Sequence, residues 1–535
     1  MREPRFVRGT LLVLVATLVT APVAGAGAPS VHALTGARVV VGPGQVIETA
    51  TVLLRDGVIE AVGADVEPPA DARVWERDEL TIYPGLIESY NERSWPDEDG
   101  DDAPGGGHRN ALVRPEREMT AHAADEAAAK KLRGAGFTTA VVAPKPGLFR
   151  GRSVVMNLGE GSINDNLLRA GVAQNVSFAR NGFGDGYPSS LMGTIALFRQ
   201  TLLDAGWYAK AHAVYGSNPA QTRPAANTAL AALGPLASGD EVVVFETDDV
   251  RDSLAASRLV DEFGLDAMLV GSGEEYRWLD AVAATGLPVL LPLDHPDVPE
   301  VGDEGDLSLG LDTLRHWDES PRNPGRLLDA GVEVAFTSHG HDDPKKLLTQ
   351  VHRSIEAGLD SDAALAALTT TPARLFGVAD RAGTVEAGKM ANLVVVEGDL
   401  FAKKPKIREV WIDGRRYEIQ ESKPAQFEPA GTWDLTVVTG DGQEMTAVLE
   451  ISGQTPDLSG VLAMGDGMEL PLSSVEVSGA TLRISFDGTP LGMPGSIDFE
   501  MDVEGDSAAG SGTTPLGPFS IKATRIAKPE PEEGR

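Results

Sequence analysis

Cysteine is absent from all 535 residues, which removes disulfides, thiolate metal sites, cysteine nucleophiles and a lipid-modified N-terminal cysteine in one step. Stability must then come from packing. Positive charge is also scarce: 46 Lys and Arg stand against 79 Asp and Glu, a net charge of −33 with a pI near 4.6. A field of that sign repels nucleic acid and anionic membrane surfaces, so neither is expected as a partner. The acidic balance reads as a solvated coat. Beyond the N-terminus no apolar run approaches the roughly 20 residues that span a bilayer. Several catalytic templates are missing as well. There is no Gly-x-Ser-x-Gly elbow, no Walker loop, no His-Glu-x-x-His helix and no dinucleotide-binding glycine loop.

What is present begins with a leader. Arg2, Arg5 and Arg8 precede the apolar run Leu11 to Val19 and the small residues Ala24-Gly25-Ala26, the order of a secretory signal peptide over residues 1–26. The expected location is periplasmic or secreted. A hydrophobic content of 42% over this length supports sizeable cores in two or three domains.

Ala37 to Val41 and Val46 to Leu54 are rich in β-branched residues and flank Gly42-Pro43-Gly44, which predicts two strands and a turn. From residue 84 to about 380, short apolar runs alternate with helical periodicity. Strands are expected at Phe137 to Ala143, Val242 to Phe245, Ala267 to Val270, Pro288 to Leu291 and Val332 to Phe336. Helices are expected at Ala127 to Gly134, Val250 to Phe263, Glu275 to Ala284 and Pro344 to Ala357. Residues 151–235 resist parsing. This rhythm fits a (β/α)8 barrel and a doubly wound open sheet equally well. After residue 426 come short alternating strands at regular spacing, including Thr432 to Val438, Thr446 to Ser452, Leu482 to Phe486 and Ile497 to Val503. They predict a separate antiparallel β domain, a sandwich or a small barrel.

The stretch Pro84-Gly85-Leu86-Ile87-Glu88-Ser89-Tyr90-Asn91-Glu92 resembles the opening signature of the amidohydrolase superfamily, Pro-Gly-hydrophobic-hydrophobic-Asp-x-His-x-His. Ala382-Gly383-Thr384-Val385-Glu386-Ala387-Gly388-Lys389-Met390-Ala391-Asn392-Leu393 is similar to its closing signature, and the Asp413-Gly414-Arg415 turn to its final hairpin. Ala135-Gly136-Phe137-Thr138-Thr139 and Leu328-Asp329-Ala330-Gly331 resemble the secreted imidazolonepropionase-like branch. The resemblance implies an α/β fold: a (β/α)8 barrel over 84–380 with a composite β-sandwich from 30–83 and 381–425. The antiparallel β domain would follow at 426–528, with a disordered tail at 529–535. It also implies a hydrolase of carbon–nitrogen bonds of the cyclic amide type. In that family histidines and an aspartate hold one or two divalent ions, usually zinc, which activate water and polarise the carbonyl.

Those ligands are missing here. Tyr90 and Glu92 replace the His-x-His pair, Glu246 stands where the fifth strand should end in histidine, and Val270-Gly271-Ser272 where the sixth should. Thr337-Ser338-His339 replaces the usual Gly-Thr-Asp. Ordinary metal hydrolysis is therefore not expected. A zinc or other divalent ion could enter only through a remodelled site of Glu92, Glu246 and His339, the catalytic candidates. Without metal, His339 with Glu92 could perform general acid–base chemistry. Tyr90, Ser272, His341 and Asp342 are the candidate lining of the barrel mouth, where a small-molecule ligand would bind. The competing expectation is a non-catalytic binding or scaffold protein, as a homo-oligomer or paired with a histidine-complete amidohydrolase. Fold resemblance cannot choose, because chemistry lives in the site. His108 and His122 flank the acidic, glycine-rich segment Asp97 to Gly107 and are expected on a solvated loop. The run Asp97 to Asp102 lacks calcium-loop spacing, and His32 reads as incidental.

Overall fold

A computed structural model describes residues 31–92, 108–117, 126–180, 186–298, 310–419, 425–439, 444–455, 457–464, 468–491, 496–514 and 517–527. The expected leader, the acidic run Asp97 to Asp102, His122 and the expected C-terminal tail lie outside them.

Three sheets organise the chain. The first collects β1 (Val31–Gly42), β2 (Gln45–Arg55), β3 (Val58–Gly63), β4 (Arg73–Glu76) and β5 (Leu80–Pro84). The second is made of β6 (Leu86–Asn91), β7 (Phe137–Val142), β8 (Phe149–Asn157), β9 (Leu167–Ser177), β10 (Val242–Glu246), β11 (Asp266–Val270), β12 (Val289–Pro292) and β13 (Val334–Thr337). Then β14 (Leu393–Glu397), β15 (Lys406–Ile412) and β16 (Arg415–Glu418) return to the first sheet, in the order β16-β15-β14-β5-β1-β2-β3 with β4 on β1. It is thus composite, with β14 pairing antiparallel to β5 across the junction.

The second sheet runs in chain order from β6 to β13 and curls into a barrel with helices outside. The helix Val250–Phe263 shows the local logic. Asp249 caps its first turn by accepting from the Asp252 amide, and Gly264 ends it in the left-handed region at φ 62°. Inside the barrel, Ile87, Tyr90, Val141, Val155, Val244 and Leu290 form one buried cluster. Side chains draw β13 and β6 together: Ser89 Oγ donates to the Phe336 carbonyl at 2.8 Å and Thr337 Oγ1 to the Tyr90 carbonyl at 2.9 Å.

One strand departs from strict β/α alternation. β8 runs antiparallel to both β7 and β9, while the other pairings along the barrel are parallel. The cause is connection length. Only residues 143–148 link β7 to β8, far short of the dozen or so that a parallel crossover needs. This is why 151–235 resisted parsing: the segment holds a hairpin and then the long helix Leu191–Ser217.

The third sheet is a closed antiparallel barrel: β17 (Gly431–Thr439), β18 (Glu444–Gln454), β19 (Asp457–Met464), β20 (Glu469–Ser478), β21 (Thr481–Asp487), β22 (Ser496–Glu504), β23 (Ser507–Thr514) and β24 (Gly517–Ala527). β24 pairs back on β17, so no ladder edge is left open. Trp433, Leu449, Leu482 and Met501 fill it.

Candidate functional site

In a barrel of parallel strands, side chains at the C-terminal strand ends face the mouth. β6 brings Tyr90 there, with Glu92 just beyond it, β10 ends on Glu246, and His339 follows β13. Because β8 is reversed, its N-terminal end reaches the same rim. Phe149 sits level with Val176 and hence with Phe245, which places Arg150 beside Glu246. Gly151, at φ 114°, follows it where a Cβ would lie 2.5 Å from the Arg117 carbonyl oxygen. That bend can only be made by glycine. A second close approach explains the opening motif, since a Cβ on Gly85 would lie 2.1 Å from Thr138 Oγ1.

The five side chains form one network. Arg150 Nη1 donates to Glu246 Oε2 at 2.6 Å and to Tyr90 Oη at 3.2 Å, and Nη2 to Glu246 Oε1 at 3.2 Å. Nη1 also binds Glu92 Oε1, and Nε is anchored on the Gly147 carbonyl at 3.2 Å. Tyr90 Oη lies 2.8 Å from Glu246 Oε2 and 3.2 Å from Glu92 Oε1. The His339 ring stands edge-on to Tyr90 at a centroid distance of 5.2 Å. Arg150 is only 7% exposed and Tyr90 1%.

Burial and charge split the two carboxyls. Burial, reinforced by Glu246, pushes Glu92 up to about 7 against the pull of Arg150. Burial opposes ionisation of Glu246 too, but the charge and hydrogen bonds of Arg150 override it and hold that carboxyl down to about 2. At neutral pH one acid is thus fully ionised and the other is near its midpoint. Burial, chiefly, raises the Tyr90 phenol well above its ordinary value and keeps it neutral. For Arg150 burial works in the opposite direction, yet Tyr90, Glu246 and Glu92 outweigh it and fix the positive charge.

A second buried acid supports the rim. Glu88, fully buried, accepts from the Ser338 amide at 2.9 Å and from the Tyr90 amide at 3.2 Å, and competes with the Tyr90 carbonyl for the single proton of Thr337 Oγ1. Thr337 Oγ1 in turn accepts from the His339 amide at 3.0 Å. Burial raises the Glu88 carboxyl, while Ser338, Thr337 and Tyr90 pull the other way.

Could the cluster hold an ion? Glu92, Glu246 and His339 each offer a ligand atom within 4.8 Å of the others, a set of oxygen and imidazole donors that suits a divalent ion. Arg150 stands against it. Its guanidinium already binds both carboxylates, and a dication placed about 4 Å away would meet roughly 8 kcal/mol of repulsion from it at an effective dielectric near 20, set against an attraction of the same size from each ionised carboxylate. An ion would have to displace Arg150 from those carboxylate oxygens.

Of the sequence candidates, then, Tyr90, Glu92, Glu246 and His339 meet. The others make different contacts. The amide and Oγ of Ser272 engage Glu275 Oε1 at 2.6 and 3.3 Å, His341 is buried with Nε2 2.6 Å from the Leu293 carbonyl, and Asp342 is exposed beyond β13. His108, expected on a solvated loop, is buried, with Nε2 2.9 Å from Asp204 Oδ2 and Nδ1 3.1 Å from Asn227. Nor is His32 incidental: its Nδ1 accepts from Trp75 Nε1 at 3.1 Å and its ring packs on Trp411. Arg150 and Glu88 are the functional-site residues that the motif comparison did not single out. A lone charge inside the run Leu148-Phe149-Arg150-Gly151 was the available signal for the first, and the aspartate position of the opening motif for the second.

Comparison with known proteins agrees with this architecture. Residues 322–441 match the amidohydrolase family. An amidohydrolase from Thermotoga maritima MSB8 is 20% identical, and the superposition covers 72% of this chain and 99% of that one at a TM-score of 0.60, which shows a shared fold. A putative prolidase from Bifidobacterium longum (15% identity, 74% and 96% covered, TM-score 0.41) and phenylurea hydrolase B (16%, 73% and 97%, 0.42) are more remote, too remote to add to that. No curated protein matches the chain. The chain thus shares its fold with an amidohydrolase and, over residues 322–441, is similar to the amidohydrolase family.

Proposed function

We propose that this protein is a metal-independent amidohydrolase relative whose barrel mouth binds a small polar ligand without activating water on an ion. One observation carries the reading. The guanidinium of Arg150 satisfies Glu92, Glu246 and Tyr90 together, at the rim where relatives in this superfamily hold a cation. A fixed organic cation neutralises the carboxylates but has no open coordination position and cannot lower the pKa of bound water as a metal does. The test is thermal unfolding of the purified protein with and without added zinc. A ligand held only by the folded state raises the melting temperature. The proposal expects no shift, and a saturable rise lost on Glu246→Ala would overturn it.

A second reading rests on Glu92. A carboxyl near 7 beside an ionised partner is poised for general acid–base work, with His339 alongside, and would serve a metal-free hydrolysis of a cyclic amide. A hydrolytic rate that rises with ionisation near pH 7 and disappears in Glu92→Gln would favour it. In both readings the chain is exported by its N-terminal leader and acts in the periplasm or outside the cell, alone or assembled with a histidine-complete relative. The order of arginines, apolar run and small residues supports export.

A further inference from the structure

The composite sheet carries a feature apart from the barrel mouth. β4 pairs only with β1, and β16 ends the sheet on its other side, so two strand edges approach without a shared ladder. Side chains bridge them. Trp75 lies 5.9 Å from Trp411, and Arg77 and Arg416 both reach the buried Glu409, at 2.6 and 2.7 Å. Beside this bridge opens a cleft of about 610 Å³, lined by His32, Arg73, Trp75, Asp413, Arg415 and Arg416 among others.

Its cationic wall is unusual in a chain of net charge −33. The Arg73 guanidinium lies 3.9 Å from the Trp75 ring centroid and that of Arg416 4.8 Å from the same centroid. Stacking fixes the plane of a guanidinium and leaves its N–H edge free to meet a planar anion. Arg73 is exposed and makes no ion pair among the described residues. Arg416 uses its terminal nitrogens on Glu409 and Glu418, and its Nε is buried with no hydrogen-bond partner among those residues. Arg415 holds only a loose, exposed pair with Glu160 at 3.7 Å.

We propose that this cleft binds a small oxyanion, a phosphate or carboxylate group held between Arg73 and Arg416 beside Trp75. Asp56 and Asp413 on the same lining set the size class, because a polyanion would meet both aspartates and the acidic surface beyond. A single oxyanion reaches the arginines without them.

The experiment is calorimetric titration of the purified protein with inorganic phosphate and, separately, with succinate, at fixed ionic strength so that general screening is constant. Saturable one-site binding of at least one probe is expected, weakened about tenfold or more by Arg73→Gln. Phosphate alone binding identifies a phosphorylated ligand, and succinate alone a carboxylate. Because Arg73 has no ion pair and loses only its stacking on Trp75, the variant should keep a cooperative unfolding transition with at most a small drop in melting temperature without ligand, which separates lost binding from lost fold. Arg73→Lys, which keeps the charge but not the planar fork, should recover only part of the affinity. Two results would overturn the proposal: no saturable binding of either probe, or equal binding by the native protein and Arg73→Gln.

Discussion

Arg150 and Glu246 meet fork to fork, Nη1 on Oε2 at 2.6 Å and Nη2 on Oε1 at 3.2 Å, across two barrel strands that run in opposite directions. A bidentate pair of this kind is stronger and more directional than a single charge contact. It occupies both oxygens of the Glu246 carboxylate, and it depends on the reversal of β8, which swings Arg150 to the rim.

Removing the cation should leave two buried acids facing each other. Arg150→Met is expected to destabilise the protein by about 3–5 kcal/mol, the usual cost of stranding half of a buried pair. The double variant Arg150→Met/Glu246→Gln should recover a good part of that loss. Urea midpoints for the three proteins check the ordering.

Glu92 gives a pH signature with a definite sign. Its folded carboxyl titrates near 7 while an unfolded one titrates near 4.5, so between those values the native state keeps a proton that the unfolded chain has released. That stabilisation is complete below about pH 4.5 and is lost as the pH rises through 7. Glu246 behaves oppositely, its contribution being present above 4.5 and lost as the pH falls through about 2. Glu92→Gln should therefore gain stability relative to the native protein, by on the order of 1–3 kcal/mol, between pH 4.5 and 8. Denaturant unfolding across that range would show a flat difference if Glu92 titrated normally.

Restoring the missing histidines alone should not create a hydrolase. In Tyr90→His/Glu92→His, Arg150 still holds Glu246, and Ser272 rather than a histidine follows β11, where it engages Glu275. We expect no zinc-dependent amide hydrolysis above the native background. Substantial zinc-dependent turnover by this variant would refute the assignment of Arg150.

The seam between β6 and β13 depends on Glu88. Glu88→Leu would strand the Ser338 and Tyr90 amides in the interior, at a cost of about 2–4 kcal/mol. Glu88→Gln retains an acceptor and should lose much less. Melting temperatures of the two variants make the comparison.

Much of this was legible in the residues. The helix Val250–Phe263 is written by its aspartate cap and glycine stop, and β10 and β11 by their apolar runs. Tyr90, Glu92, Glu246 and His339 could be found because a motif fixes their place on each strand. Arg150 could not, since alignment looks to C-terminal strand ends and β8 presents its N-terminal end. In the C-terminal barrel, β20 and β23 escaped the expected strand series. Pro471 breaks the first, and the second reads Ser-Ala-Ala-Gly-Ser-Gly-Thr-Thr, with no apolar alternation to mark its faces.

Elemental analysis of the purified, dialysed protein tests the central claim most directly, after incubation with excess zinc and removal of the free ion. If Arg150 fills the ion's place, zinc should remain far below one equivalent and should not change on Glu246→Ala. One tightly held equivalent in the native protein, released by Glu246→Ala or His339→Ala, would contradict the account.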